Sequence, residues 1–331
     1  MRYLVTGGAG FIGSHLVEAL VAEDHEVVVL DDLSTGRLDN LAAVRGDVQF
    51  LHGDVRDEAL VARAVEGTDT VMHLAATVGV RRVVQRPLDA LLANVRGAEV
   101  VLAQAERSGA RALVTSTSEV YGKNPSVPLS ETDDLVIGPP SVPRWTYAAS
   151  KAVVEMIAMG RAREHGAAMV VARLFNTVGP RQTGAYGMVV PRFVRQAIAG
   201  EDLTVYGDGR QSRCFCAVED VVAALLGLVN DARADGGVFN VGSDREVTVR
   251  ALADTVVART ASRSRIRMVT YEQAFGSGFE EPRRRVPDTR RIRALLGWRP
   301  ASELEATIDR LIEDHAHASV ARSGRRGGCD P

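Results

Sequence analysis

The first half of the chain alternates short apolar runs with longer stretches in which apolar residues recur at helical spacing. This pattern predicts helices between the runs, notably at residues 12–22, 87–107 and 147–164. Strands are predicted at residues 2–6, 26–30, 48–51, 70–73, 112–115 and 169–172. Because continuous Val, Ile and Leu strands that alternate with helices are typical of a parallel sheet covered on both faces, we predict a doubly wound α/β domain, the Rossmann arrangement.

The second half of the chain has a less regular pattern. Helix-breaking residues at 179–184 predict a loop, followed by a helix at 189–199, a strand at 203–206 and a turn at 207–209. We predict a cofactor-binding domain over residues 1–177 and, mainly within residues 178–315, a smaller C-terminal substrate-binding lobe. A strand near 237–241 is expected to return to the first sheet. Residues 319–331 are rich in Gly, Arg and Ser, which predicts a disordered tail.

Composition narrows the class of protein. The 331 residues carry a net charge of −2 and are 46% hydrophobic, which is typical of a globular protein and gives no electrostatic case for binding nucleic acid or an anionic membrane. We find no signal peptide and no apolar run long enough to span a bilayer, so we expect a cytoplasmic protein. The three cysteines, Cys214, Cys216 and Cys329, form neither a disulfide framework nor a zinc set, and we expect no metal.

A glycine-rich loop, Gly7, Gly10 and Gly13, stands between the first predicted strand and the first predicted helix. Glycines there allow a tight turn and let backbone amides approach a pyrophosphate at the helix N-terminus. Asp31 ends the second strand, where a carboxylate hydrogen-bonds adenosine ribose and repels a 2′-phosphate; its alternative is a turn aspartate. No arginine follows it immediately, so we predict NAD. The other predicted cofactor contacts are Phe11, Ile12, Asp32, Ser34, Gly36, Asp54, Val55, Leu74, Ala75, Ala76, Asn94, Thr115, Tyr147 and Lys151.

Tyr147 and Lys151 are four residues apart, so they share one face of the predicted helix. An ammonium group near the phenol lowers the tyrosine pKa from its ordinary value of about 10 and makes Tyr147 a usable general base. Such a pair is common on exposed helices, but behind a dinucleotide-binding loop it favours a redox site.

Further motifs follow in order at residues 73–76, 116–122, 147–151, 174–181, 207–213, 286–288 and 296–298. With the glycine loop they resemble the extended short-chain dehydrogenase/reductase family, over about residues 1–315. Within it the chain resembles the NAD-dependent nucleotide-sugar epimerases, dehydratases and decarboxylases.

The resemblance implies a role for each matching residue. Tyr147 would remove the proton of the sugar C4 hydroxyl while NAD takes the C4 hydride, Lys151 would hold the nicotinamide ribose, and Thr117 would hydrogen-bond the same hydroxyl. Arginine forks suit a diphosphate, although a charge run such as residues 283–285 is often a solvated face. The implied substrate contacts are Arg81, Asn176, Arg181, Val190, Arg192, Tyr206, Arg213, Arg283 and Arg285.

The residues after Thr117 bear on the choice of reaction. Dehydratases of the family carry an Asp-Glu pair where this chain has Ser118 and Glu119, which counts against a 4,6-dehydratase. The Thr-Ser-Glu triplet and residues 144–147 resemble UDP-glucuronate decarboxylases, whereas residues 78–81 and 174–191 resemble sugar 4-epimerases. Glu119 would carry out proton chemistry at C5 or order its loop.

We therefore predict a UDP-sugar 4-epimerase that acts on a UDP-hexose or UDP-hexuronate through a transient 4-keto sugar. The alternative is a UDP-glucuronate decarboxylase. Ala185 stands where relatives acting on UDP-glucuronate can carry an arginine, which counts against that substrate, although Arg181 or Arg285 could serve instead. A dehydrogenase that releases NADH is less favoured.

The helices predicted at residues 87–107 and 147–164 carry apolar residues on more than one face. In relatives the equivalent helices pair across a two-fold axis, so the resemblance implies a homodimer held by a four-helix bundle. Alternatively, the extra apolar residues pack on the sheet.

Overall fold

The computed structural model describes residues 1–79, 83, 85–184, 188–275 and 282–326, with side chains described as far as residue 316. The strands are β1 (Arg2–Thr6), β2 (Glu26–Asp31), β3 (Val48–His52), β4 (Thr70–His73), β5 (Arg111–Thr117), β6 (Met169–Leu174), β7 (Thr177–Val178), β8 (Leu203–Tyr206), β9 (Ser212–Cys214), β10 (Cys216–Ala217), β11 (Gly237–Val241), β12 (Glu246–Thr248) and β13 (Ile266–Val269). The helices are α1 (Phe11–Ala22), α2 (Glu58–Val65), α3 (Pro87–Ser108), α4 (Trp145–His165), α5 (Val189–Ile198), α6 (Val218–Val229), α7 (Val249–Arg259), α8 (Tyr271–Phe275), α9 (Arg290–Leu296) and α10 (Leu304–Arg326).

Seven parallel strands form the central sheet in the order β11-β6-β5-β4-β1-β2-β3. The chain builds outward from β1 in one direction through β3, then returns to β4 and builds outward in the other. Loops that leave the carboxyl ends of β1 and β4 therefore diverge and open a crevice at the point where the order reverses. This confirms the predicted doubly wound sheet and places the glycine loop in its crevice.

Alternate residues of each central strand enter two separate hydrophobic cores. Leu4, Val28 and Val114 pack with buried residues of α2, α3 and α4 on one face of the sheet. Tyr3 and Val5 pack with α1 and α6 on the other face. Since both faces are covered, the strands are apolar at nearly every position, as the sequence pattern indicates.

The second lobe has its own core, in which buried residues of α5, β8, α7 and α10 pack together. Three short strand pairs, β7 with β10, β9 with β12 and β8 with β13, form separate two-stranded sheets outside the large sheet. The chain does not divide cleanly at residue 177, because α6 packs in a core of the large sheet and β11 pairs with β6.

The last helix, α10, continues to Arg326, so the structure differs from the disordered tail predicted from Ser319. Residues 319–323 are Ser, Val, Ala, Arg and Ser, without Gly or Pro, and such a stretch can prolong an existing helix. Residues 327–331, including Cys329, lie outside the described part of the chain. In that part no helix is long and apolar enough to cross a bilayer.

Cys214 and Cys216 end β9 and begin β10, and both are buried free thiols. Burial raises the pKa of Cys214 to about 12 and also raises that of Cys216. A thiol that stays protonated is a poor nucleophile, so these residues act in packing.

Candidate active site

The glycine loop brings backbone unusually close to the start of α1. Gly7 has a φ of +73°, and a Cβ on it would lie 2.8 Å from Ala75 N. A Cβ on Gly13 would lie 2.1 Å from Gly7 O. Gly10 is the N-cap of α1 and provides no side-chain hydrogen bond. The amides of the first helical turn therefore face the crevice, in an arrangement that suits a pyrophosphate.

Asp31 lies beside this loop at the end of β2. Its carboxylate accepts hydrogen bonds from Ala9 N at 3.0 Å and Leu33 N at 2.8 Å, although burial raises its pKa. A Cβ at Gly36 would lie 2.9 Å from the same carboxylate, so this glycine lets the next loop pack closely. Asp31 thus fixes the loop and presents negative charge where an adenosine ribose would lie.

Most of the predicted cofactor residues line one cavity of about 1900 Å³. This volume is about twice the upper end of the usual range for small-ligand pockets, which leaves room for a dinucleotide and a second nucleotide. The predicted residues in its wall are Gly7, Gly10, Phe11, Ile12, Gly13, Asp31, Asp32, Ser34, Asp54, Val55, Leu74, Ala75, Ala76, Thr115, Tyr147 and Lys151.

Asn94 has a different position from the one predicted. Its side chain is buried, donates to Thr77 O and Ser150 Oγ, and accepts from Thr77 N. Since its amide bonds these protein groups, Asn94 holds the loop after β4 against α4 and does not line the cavity.

The predicted catalytic residues Thr117, Ser118, Glu119, Tyr147 and Lys151 meet in the wall of the same cavity. Two elements bring them together, because β5 ends at Thr117 and runs into a 3-10 turn, while α4 begins two residues before Tyr147. The Thr117 side chain hydrogen-bonds the Tyr147 phenol, and its Oγ1 accepts from Glu119 N at 3.2 Å. Lys151 is buried and donates from Nζ to Thr115 O at 2.8 Å.

The expected lowering of the tyrosine pKa by Lys151 is wrong for this structure. Burial and the negative charge of Glu119 raise the pKa of Tyr147, and the hydrogen bond with Thr117 only partly opposes them. The ammonium of Lys151 is directed at the Thr115 carbonyl, and its own pKa is lowered by burial to about 8.

Glu119 faces three buried arginines, Arg144, Arg213 and Arg285. Burial by itself would raise the pKa of Glu119, but these positive charges and a hydrogen bond from Arg285 bring it below its usual value. Arg285 Nη1 lies 3.5 Å from Glu119 Oε1. Three guanidinium charges against one carboxylate leave a net charge of +2. Arg144 is not among the predicted site residues, although it begins the segment 144–147 that resembles the decarboxylases.

The three consecutive arginines at 283–285 lie in three different environments. Arg283 is 84% exposed at its side chain, lies 4.0 Å from Asp208 and is not in the cavity wall, contrary to the predicted substrate contact. Arg284 forms two 2.8 Å bonds with Glu246. Arg285 is only 8% exposed and reaches the cavity.

The second lobe contributes the far wall of the cavity. Arg192 stacks on the Tyr206 ring at 4.2 Å and donates to Thr204 O at 3.0 Å, and Val190 lies next to it. Asn176 lines the cavity and donates to Cys214 O at 3.0 Å. A ring with a guanidinium on its face offers a flat surface on which a nucleobase can stack.

Arg181 lines the cavity but is tied to other protein groups. Its guanidinium donates to Glu18 Oε1 at 2.6 Å and to Ser14 Oγ at 3.1 Å, and its amide donates to Asp314 Oδ2 at 3.1 Å. The residue therefore joins the second lobe to α1. Arg81 and Ala185 lie outside the described residues.

The chain is similar to known proteins along almost its whole length. A sequence profile of the NAD dependent epimerase/dehydratase family matches residues 3–242. The UDP-N-acetyl-alpha-D-glucosaminuronate decarboxylase of Bacillus cytotoxicus is 36% identical over 313 residues, which cover 94% of this chain and 97% of the relative. UDP-glucuronic acid decarboxylase 6 of Arabidopsis thaliana is 38% identical over 317 residues, covering 95% and 88%. The solved structure of UDP-glucose 4-epimerase from Thermotoga maritima with UDP-glucose has a TM-score of 0.87 and 31% identity, covering 96% of this chain and 100% of that one.

Proposed function

The chain belongs to the NAD dependent epimerase/dehydratase family, and we propose that it is a decarboxylase of a UDP-hexuronate. The observation that carries this proposal is the group of three buried arginines around an ionised Glu119. A UDP-hexuronate brings a diphosphate and a sugar carboxylate into the cavity, and guanidinium groups bind both kinds of anion well. The 36–38% identity to two decarboxylases supports the same choice over the epimerase predicted from the sequence.

The crevice fits the cofactor that the family name implies. The amides of α1 and the space left by Gly7 and Gly13 would hold the pyrophosphate, Asp31 the adenosine ribose, and Lys151 the nicotinamide ribose. When bound, NAD would supply a hydride acceptor for C4 and, once reduced, the hydride that C4 takes back, and its positive charge would favour the Tyr147 phenolate.

The side chains on β5 and α4 carry the proton chemistry. Tyr147 takes the proton of the C4 hydroxyl, aided by its hydrogen-bond partner Thr117. The ketone at C4 makes the C6 carboxylate a β-keto acid. The C5–C6 bond then breaks, its electron pair moves onto the C4 oxygen, and carbon dioxide leaves. Tyr147 and Thr117 hydrogen-bond that oxygen as its negative charge develops, and C5 takes a proton that originates in solvent.

The charged groups divide between the two anionic parts of the substrate. We assign Arg213 to the diphosphate, and Arg144 and Arg285 to the C6 carboxylate. Glu119 is ionised, so it orients these arginines and is not a proton donor. This also argues against a 4,6-dehydratase, which needs an acid to expel water from C6, and Ser118 cannot supply one.

The 4-epimerase remains the second candidate. Inversion at C4 requires the Thr117, Tyr147 and Lys151 that this site contains, together with room for the keto sugar to turn over, and the cavity is large. However, inversion of a neutral UDP-hexose gives no use for Arg144 and Arg285, which we assign to a sugar carboxylate. For a UDP-hexuronate, the identity to two decarboxylases is why we favour decarboxylation over inversion.

Proton NMR of separate incubations with UDP-glucuronate, UDP-N-acetylglucosaminuronate, UDP-glucose and UDP-N-acetylglucosamine tests the proposal. Each incubation contains NAD, and the Tyr147→Phe variant serves as the control that lacks the base. We expect a UDP-pentose or its 2-acetamido counterpart from one of the uronates, without net NADH. A mixture of C4 epimers from any of the four would establish the epimerase instead.

A further inference from the structure

Asn240 lies in β11, behind the wall of the cavity, and its exposure is 0%. Its side-chain oxygen accepts from the Tyr121 hydroxyl at 2.7 Å. Its side-chain nitrogen donates to Leu129 O at 2.9 Å and to Asp288 O at 3.1 Å. One buried amide thus bonds three segments that are far apart in the sequence.

Two of these segments carry the charged groups of the site. Tyr121 ends the 3-10 turn that contains Glu119, and Asp288 follows Arg285 by three residues. The third segment joins the second, because Leu129 N donates to Val286 O at 2.8 Å and Asp288 N donates to Leu129 O at 2.8 Å. Asn240 is therefore the common partner of the Tyr121 side chain, on the turn that contains Glu119, and of the backbone that follows Arg285.

A buried ion pair contacts the Tyr121 ring and stabilises the same arrangement. Arg173 on β6 pairs with Glu155 on α4 at 2.7 Å, and its guanidinium lies 4.8 Å from the centre of the Tyr121 ring. Arg173 also donates to Glu131 O, while the Glu131 carboxylate accepts from the backbone amide of Asn240 at 2.8 Å. A buried network in which each of these groups has a partner holds its members in one geometry.

We infer that Asn240 is a positioning residue for the bond-breaking step, because it fixes the separation between Glu119 and Arg285. It acts through Tyr121 and through two backbone carbonyls and does not touch the substrate. The inference rests on the proposed function for the identity of that step. The first step, oxidation at C4, depends on Tyr147 and Lys151 of α4, and the three side-chain hydrogen bonds of Asn240 go to other segments.

The test uses two variants of the full-length protein with NAD and the uronate that wild type decarboxylates. Asn240→Leu keeps about the same volume and removes all three side-chain bonds. Tyr121→Phe removes one hydroxyl, which bonds both Asn240 and Arg173, and keeps the ring that Arg173 covers. Tyr3→Phe is the matched control, because Tyr3 is also buried and its hydroxyl donates to Asn230 Oδ1 at 3.0 Å, away from the cavity.

Two quantities are followed, the near-ultraviolet absorbance of NADH and the UDP-pentose product by NMR. We expect both variants to form NADH at close to the wild-type rate, to release product at least tenfold more slowly, and to accumulate the 4-keto hexuronate. Tyr3→Phe should match wild type in both quantities. A merely structural role would lower both quantities together.

The inference would be overturned if NADH formation and product release fell by the same factor in the variants. It would also be overturned if both rates in Tyr121→Phe equalled those of wild type. If Asn240→Leu does not fold, Tyr121→Phe decides alone. If wild type releases no carbon dioxide from either uronate, the proposed function fails and the inference falls with it. That failure is distinguishable because it is seen before any variant is made.

Discussion

Lys151 shows how a single residue can serve chemistry at a cost to folding. Its ammonium is buried and donates to one carbonyl, and burial lowers its pKa to about 8 from the ordinary value of 10.5. The unfolded chain therefore binds this proton more tightly than the folded protein does. Below pH 8 the residue opposes folding, and that penalty disappears as the pH rises toward 10.5.

Replacement of Lys151 by Met should accordingly stabilise the protein while abolishing turnover. We expect a gain of about 2 kcal/mol in the free energy of unfolding at pH 7, after allowance for the lost hydrogen bond to Thr115. The gain should shrink between pH 8 and pH 10. Urea unfolding at several pH values measures it, and a variant less stable than wild type at pH 7 would contradict the assigned burial of charge.

At the residue scale, the sequence identifies chemistry better than it identifies partners. Motif order was enough to select Thr117, Glu119, Tyr147 and Lys151, and the structure brings their side chains to one cavity. Motif order did not show which of the three consecutive arginines at 283–285 lines the cavity. Arg284 pairs with Glu246 and Arg285 lies beside Glu119, whereas Arg283 is exposed. Those partners are more than thirty residues away along the chain, and only the fold brings them near.

At the element scale, β6 and α4 are joined by the ion pair of Arg173 and Glu155, both of which are buried. If one partner of a buried pair is removed, the other charge remains without compensation, which typically costs 3–5 kcal/mol. Glu155→Gln should therefore destabilise the protein by about 3 kcal/mol in urea unfolding.

The exposed pair of Arg250 and Asp254, on α7, provides the control for that variant. Asp254→Asn should change the free energy of unfolding by no more than about 0.5 kcal/mol, because exposed pairs contribute little. Equal effects of the two substitutions would mean that the Arg173–Glu155 pair is not sealed from water.

Element order was predictable because apolar runs and helical periodicity report burial directly. The strand at residues 70–73 has the predicted bounds, and α3 and α4 end within two residues of theirs. The hydrogen bonds between Asn240 and the segments around the site were not predictable, since in the sequence Asn240 is a single polar residue inside a predicted strand. Its partners, Tyr121, Leu129 and Asp288, become its neighbours only when β11 joins the large sheet.

At the scale of the whole molecule, α3 and α4 leave an apolar surface uncovered. Leu88 and Met156 are 63% and 65% exposed, and Leu92 and Val153 are also exposed. The helices pack together in one core, and each of them exposes apolar residues on its outer surface. We propose that a second copy covers this face, which would give the four-helix homodimer that the resemblance implies.

A charge placed in that face should separate the two copies. We expect Met156→Glu to be monomeric in sedimentation equilibrium under conditions where wild type is dimeric. Met268→Glu is the control, because Met268 is an exposed methionine on β13, away from α3 and α4. A monomeric wild type, or a dimeric Met156→Glu, would show that the apolar residues have another use.

The reaction of the protein with UDP-glucuronate or UDP-N-acetylglucosaminuronate in deuterium oxide distinguishes decarboxylation from inversion. Decarboxylation breaks the C5–C6 bond, so C5 must take a solvent proton. The predicted product is therefore a nucleotide-bound five-carbon sugar with one deuterium at C5, formed together with carbon dioxide. A six-carbon product inverted at C4, with its carboxylate intact and no deuterium at C5, would contradict the account and establish the epimerase.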